Sequence, residues 1–256
     1  MDLYNYNKRA WDASVERKDY FTLPATPAEI EDARNGYIPL TITGNRIIPK
    51  SWLADIAGKQ VLCLAAGGGL QAPIMAAAGA IVTVFDSSPL QLAQDAEIAR
   101  KHDLQIKIVE GDMKDLSCFN DKYFDYIIHP VANVFIDNVR PLWLEAYRVL
   151  KKGGVMIAGI ANPILYIFDQ EQLDKGRFIV RNKLPYSDLR DLPPKRLQYY
   201  KKKNIPLEFG HTLEQQLGGV CDVGFVIANL FEDDFDGEDL MDDYLKSLIV
   251  FRALKL

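Results

Sequence analysis

A chain of 256 residues, 48% hydrophobic and 25% charged, can bury one sizeable core, and its length suits a single domain with added elements. A net charge of -5 argues against attraction of the whole surface to nucleic acid or an anionic membrane, and leaves a small molecule as the expected partner. No stretch approaches the roughly 18 to 20 uninterrupted apolar residues of a membrane span, and the start Met1-Asp2-Leu3-Tyr4-Asn5 lacks the basic and apolar regions of a secretory signal, so a cytoplasmic protein is expected.

Residues 1–57 form the first segment, read as an amino-terminal helical lid. It carries the aromatics Tyr4, Tyr6, Trp11, Tyr20 and Phe21, whose faces either close over a cationic or planar ligand or simply pack the segment onto the body. Thr26-Pro27-Ala28-Glu29 has the residue types of a helix start, with Thr26 as cap and Pro27 in the first helical position, and Gly36 ends that helix.

From about residue 58 to 161, short apolar runs alternate with helical stretches, the pattern of a parallel sheet covered on both faces. The strands read Val61 to Leu64, Ile81 to Phe85, Ile106 to Val109, Tyr126 to Ile128 and Val155 to Gly159. Helices fill about 70–79, 88–102 and 139–151, the last stopped by Gly153-Gly154.

The first strand runs into Ala65-Ala66-Gly67-Gly68-Gly69, a turn of tiny residues before a helix. Small residues let a ligand approach the backbone, and free amides at a helix start favour an anionic group. The same turn is compatible with a ligand-free bend or, through a GxGxxA match, with a dinucleotide site. Asp86 ends the second strand, where a carboxylate can accept hydrogen bonds from both hydroxyls of a ribose, or can cap the next helix.

His129 closes the fourth strand, on the side where ligands gather in open α/β sheets, and is the first candidate for acceptor contact or general base; a structural histidine is the other reading. Asn133 either orients an acceptor or caps a turn.

Residues 162–206 break the rhythm with Pro163, Pro185, Pro193 and Pro194 and a basic excess from Lys175 to Lys203, and read as an inserted cap. That charge is read as solvated surface in preference to a nucleic-acid contact.

His211 either faces the cleft or is a loop histidine, and Thr212-Leu213-Glu214-Gln215 forms a capping box that opens a helix to about Cys221. Phe225 to Leu230 and Leu248 to Ala253 follow. The acidic connector between them, read as solvated, is too short for a crossover helix, so the last strand is expected to return antiparallel. Cys63, Cys118 and Cys221 show no CxxC pair and an odd count, so they are read as core thiols with neither disulfide nor metal.

Val61 to Ser88, then Gly111-Asp112-Met113-Lys114-Asp115-Leu116, then Phe124-Asp125-Tyr126-Ile127-Ile128 and Arg148-Val149-Leu150-Lys151-Lys152-Gly153-Gly154 resemble, in order, the successive motifs of class I S-adenosylmethionine-dependent methyltransferases. The resemblance spans about residues 58–161. It implies a single α/β domain over 1–256 with a Rossmann-like, largely parallel seven-stranded sheet, helices on both faces and an antiparallel last strand.

It also implies transfer of the methyl group of S-adenosylmethionine to a small-molecule acceptor, with S-adenosylhomocysteine as product. Ala65, Ala66, Gly67, Gly68 and Gly69 would lie along the methionine part of the cofactor. Asp86, with Ser87 beside it, would take the ribose, Asp112 the adenine amino group and Met113 the adenine face, while His129 is also placed near the cofactor. Tyr6 or Trp11 would stand near the methyl.

Two positions depart from the family pattern, Cys63 for the usual acid and Ala65 for the usual glycine, although some members share a Cys-Leu-Ala-x-Gly-Gly-Gly turn. A nicotinamide oxidoreductase would share the turn and Asp86 without accounting for Gly111-Asp112-Met113. A noncatalytic cofactor-binding protein would keep the binding residues without turnover.

Overall fold

The apolar runs become one sheet in the computed structural model, which describes residues 2–237 and 239–256. Met1, the first residue of the segment read for a leader, and Glu238, in the acidic connector, lie outside the described residues. The chain begins with α1 (Leu3–Arg17), capped by Asp2, and α2 (Pro27–Arg34), whose Thr26–Glu29 capping box forms as its residue types predict. Five strands and three helices follow: β1 (Gln60–Leu64), α3 (Gln71–Ala77), β2 (Ile81–Asp86), α4 (Pro89–Lys101), β3 (Ile106–Glu110), β4 (Phe124–His129), α5 (Arg140–Val149) and β5 (Leu150–Ala161).

The next stretch holds α6 (Gln170–Leu173), β6 (Tyr186–Ser187), α7 (Asp188–Asp191), α8 (Pro194–Lys203) and β7 (Phe209–Gly210), with β6 and β7 paired antiparallel. A π-helical turn at Glu214–Gly218 then runs into α9 (Gly219–Asp222), and β8 (Phe225–Asp233) and β9 (Leu248–Lys255) complete the chain.

The main sheet has seven strands in the order β3-β2-β1-β4-β5-β9-β8, and β9 runs antiparallel to both β5 and β8. The antiparallel last strand thus forms where the short connector ruled out a crossover. Side chains alternate across the sheet, so the apolar strands feed two cores. Val61, Cys63 and Val84 pack with Ile30 and Met75 on one face. Leu62, Leu64 and Phe85 pack with Trp143 and Val149 on the other.

The strand order reverses between β1 and β4, and the crevice at the carboxyl ends of those strands is the place such sheets offer to a ligand. α1 lies across that end. Its Asp12 accepts hydrogen bonds from Ser88 Oγ (2.6 Å) and the Leu90 amide (3.2 Å) at the start of α4, and its Lys8 pairs with Glu110 at the end of β3. Asn7 ties it to the other side, donating to Phe135 O (2.8 Å) and accepting from the Leu207 amide (2.9 Å).

Several local expectations change. α5 ends at Val149, ahead of the Gly153-Gly154 pair, because Leu150 already pairs with Phe124 and the intervening residues bulge from the sheet. Cys63 is a core thiol, whereas Cys118 and Cys221 are exposed; none of the three is in a disulfide. The acidic connector is not simply solvated. Asp233 is buried and accepts from Thr43 Oγ1 and the Arg46 amide, and Asp242 accepts from the amides of Phe235 and Gly237. Among the described residues no helix is long and apolar enough to cross a membrane.

Candidate active site

A cavity of about 690 Å³ opens over the carboxyl ends of the parallel strands, bounded by the glycine turn, by α1 and by residues of the 162–210 stretch. Its size falls within the roughly 300–1,000 Å³ of small-molecule sites. Ala65, Ala66, Gly67 and Gly68 line it, together with Asp86, Ser87, Asp112 and Met113. Eight positions named from the sequence therefore share one wall, although Gly69 does not reach it.

The turn is shaped by backbone conformation. Ala65 takes φ +49 and its amide donates to Phe85 O at 2.7 Å, while Gly68 takes φ +117, which a side chain rarely tolerates. Gly67 is needed for space, since a Cβ there would lie 2.8 Å from Gln91 Cβ and 3.1 Å from Asp86. Its amide donates to Asp86 Oδ2 at 2.9 Å, and the Gly68 amide donates to Asp95 Oδ2 at 3.0 Å.

These bonds correct the expectation of a turn with free amides. Two carboxyl groups occupy the donors that a dinucleotide pyrophosphate would require. A ligand whose turn-facing part is neutral or cationic fits this wall, and a sulfonium with an amino group is such a ligand.

Asp86 accepts from the Ser88 amide through Oδ1 (2.9 Å) and from Gly67 through Oδ2, while burial pushes its carboxyl up against the opposing pull of those amides. The cap of α4 is Ser88, whose Oγ accepts from the Gln91 amide, so Asp86 is not that cap and remains on the cavity wall. Each of its oxygens has a further acceptor site for a ribose hydroxyl. Asp112 Oδ1 accepts from the Lys114 amide at 2.9 Å, and Met113 packs against the core while facing the cavity.

Asp95, reaching in from α4, is fully buried behind the turn, and burial pushes its carboxyl well up. Burial raises the Cys63 thiol too, with the nearby charge of Asp95 adding to it. A carboxyl beside the turn is thus supplied by the helix although β1 carries a thiol.

His129 is absent from the cavity wall. It is fully buried, its Nδ1 lies 2.8 Å from Leu64 O, and its ring meets Trp143 edge-on at 6.0 Å. Burial lowers its imidazole to about 4, so near neutrality it is an uncharged core group that donates from Nδ1. Asn133 and His211 are also buried away from the cavity. Asn133 Nδ2 donates to Gln216 Oε1 (2.9 Å) in the π-helical turn, and His211 Nε2 lies 2.9 Å from Ile136 O and 3.2 Å from Asn133 O. Tyr6 faces away as well, donating to Ile205 O at 2.9 Å and Tyr200 O at 3.2 Å, as a strut between α1 and the end of α8.

Among the amino-terminal aromatics, Tyr4, Trp11, Tyr20 and Phe21 do line the cavity, and Trp11 meets Phe135 edge-on at 5.0 Å. The residues missed in the sequence are Asn7, Phe135, Tyr166 and Glu208 on the wall and Asp95 behind the turn. Asp95 had one available signal: it is an acid between Gln94 and Ala96 on the helix that faces the turn. Tyr166 and Glu208 had none, because loop packing alone brings them together.

A family model described as a methyltransferase domain matches residues 62–158. An uncharacterized methyltransferase of Bacillus subtilis, YbaJ, is 44% identical over 254 residues, which are 99% of each chain. The demethylmenaquinone methyltransferase of Tropheryma whipplei is 34% identical over 107 residues, 41% of this chain and 43% of its own. Among solved structures, an S-adenosylmethionine-dependent methyltransferase from Mesorhizobium loti shares the fold, with TM-score 0.62 and 18% identity over 80% of this chain and 94% of that one.

Proposed function

The chain belongs to the class I S-adenosylmethionine-dependent methyltransferases, and on that premise we propose that the cavity above β1, β2 and β4 holds the methyl donor and a small acceptor together. The reaction is transfer of the methyl group of S-adenosylmethionine to an acceptor, leaving S-adenosylhomocysteine. When bound, the donor supplies an already activated methyl on a sulfonium, so the protein's task is alignment and exclusion of water.

In this reading, Ala65 to Gly68 lie along the amino-acid portion of the donor, Asp86 and Ser87 hold the ribose, and Asp112 and Met113 hold the adenine. The observation that carries it is the occupation of the Gly67 and Gly68 amides by Asp86 and Asp95, which favours a cationic ligand over a pyrophosphate. α1 acts as a lid, since Leu3, Tyr4, Asn7 and Trp11 contribute wall along its length, and the 162–206 stretch acts as a cap through Leu165 and Tyr166. Trp11, Val131 and Phe135 give the acceptor an apolar surround. The exposed, unpaired thiols of Cys118 and Cys221 favour a reducing, cytoplasmic compartment.

Calorimetric titration with S-adenosylhomocysteine tests the reading. Binding at one site per chain is expected, and absence of binding by both S-adenosylhomocysteine and S-adenosylmethionine overturns it.

A further inference from the structure

Glu208 stands at a partition. It lines the main cavity and also a smaller one of about 210 Å³ beside it, and Leu165, Tyr166, Ile205 and Pro206 line both. Tyr166 Oη donates to Glu208 Oε2 at 2.9 Å, whereas Oε1 has no hydrogen-bond partner among the described residues. The main chain is fixed as well: the Glu208 amide donates to Asp188 Oδ2 at 2.8 Å, and Tyr186 Oη donates to Asp188 Oδ1 at 2.8 Å. The rings of Tyr166 and Tyr186 stack with centroids 5.3 Å apart, and a Cβ on Gly210 would come within 2.5 Å of the Tyr166 ring, so only glycine admits the ring there.

Among the described residues no Lys or Arg forms an ion pair with Glu208. Among the described residues the one hydrogen bond to its carboxylate comes from the Tyr166 hydroxyl, which leaves Oε1 unbonded in a residue that lines the same chamber as Trp11 and Phe135.

We propose that Glu208 is the acceptor-binding carboxylate of this methyltransferase, and that it takes an aromatic acceptor bearing a phenol-type hydroxyl, whose proton it receives. The proposal rests on the reading of the main cavity as the methyl-transfer chamber. An ionised carboxylate only accepts hydrogen bonds, so it selects an acceptor atom that still carries hydrogen. The Trp11 and Phe135 rings select a flat apolar body.

In the transfer, the phenol oxygen bonds the methyl carbon, the electrons of the broken carbon–sulfur bond stay on sulfur as the thioether, and the hydroxyl proton passes to Glu208 Oε1. Burial first, and the neighbouring Asp188 second, push the Glu208 carboxyl up to about 7, against the pull of the Tyr166 hydroxyl. Tyr166, Asp188, Tyr186 and Tyr200 are titratable groups near it, and Asp169, Glu171, Arg181 and Asp191 line the smaller cavity with it. A base of that strength takes and releases a proton near neutrality.

The test is a binding comparison of phenol with anisole, its methyl ether, on the protein saturated with S-adenosylhomocysteine, read by saturation-transfer NMR. The wild type is expected to hold phenol at least about tenfold more tightly than anisole. Glu208→Gln is expected to reduce that preference below about threefold with affinity for S-adenosylhomocysteine unchanged, and Glu208→Met serves the same purpose if the amide variant fails to fold. Tyr166→Phe, which keeps the carboxylate, is expected to retain the preference.

Equal or undetectable binding of the two probes by the wild type overturns the proposal, as does a preference that survives loss of the carboxylate or disappears in Tyr166→Phe. Failure of S-adenosylhomocysteine itself to bind instead overturns the reading of the chamber, and the proposal falls with it.

Discussion

Asp86 Oδ2 accepts the Gly67 amide at 2.9 Å, so the carboxylate on the cavity wall also braces the turn it faces. That one group therefore braces the turn and, in the proposed reading, also holds the ribose. The amides of Gly67 and Gly68 are consumed internally, which distinguishes this glycine turn from a phosphate cradle.

Asp86→Ala should weaken binding of S-adenosylhomocysteine roughly 10- to 100-fold, the effect of about 1.5–3 kcal/mol for hydrogen bonds to a charged group. Calorimetry measures it. Because the variant also frees the Gly67 and Ser88 amides, a lower unfolding midpoint should accompany the loss. A lower midpoint with full affinity would assign Asp86 to the turn alone.

Ala65 adopts φ +49, a left-handed conformation disfavoured for a residue with a Cβ. Ala65→Gly should relieve that strain and, after the entropy cost of glycine in the unfolded chain, stabilise the protein by about 0.5–1 kcal/mol. Urea unfolding at constant m-value is the measurement. Affinity for S-adenosylhomocysteine should be retained or raised, because the small-residue wall is kept.

His129 should matter to stability in acid and not to chemistry. Burial lowers its imidazole to about 4 from 6.5, so the unfolded chain binds a proton in that interval while the folded chain does not. The contribution is full above 6.5 and is lost as pH falls toward 4, by up to roughly 3 kcal/mol. His211, also lowered by burial, acts in the same direction. Urea midpoints compared between about pH 7.5 and about pH 5 should fall more steeply for the wild type than for His129→Asn.

Tyr6→Phe separates a strut from a substrate contact. Loss of the hydroxyl that donates to Ile205 O and Tyr200 O should cost about 1 kcal/mol and speed amide exchange in α1. Affinity for S-adenosylhomocysteine should stay within about threefold, a change under 1 kcal/mol. A large loss would place Tyr6 against the ligand.

The central sheet and the residues that line the cavity at the glycine turn were legible because local chemistry determines them. A short apolar strand, a turn of tiny residues and an acid at the end of the next strand must come together once parallel pairing forms, and Ala65 to Gly68, Asp86 and Asp112 do share a wall. His129 illustrates what position alone conceals. The two-residue period puts it on the face of Ile127, toward Trp143 and α5, although its place at the end of β4 suggested the crevice. Asn133 and His211 each leave a ligand contact and a structural role open in the sequence, and the structure shows them bonded around the π-helical turn. Glu208 and Tyr166 lie far apart in sequence in segments without periodicity, so nothing short of the packed 162–210 stretch reveals their pairing.

Amide hydrogen exchange with and without S-adenosylhomocysteine tests the central claim most directly. Protection is expected at residues 65–68, 86–88 and 112–113, with exchange in α1 slowed along its cavity side. Protection elsewhere with these segments unchanged would contradict it.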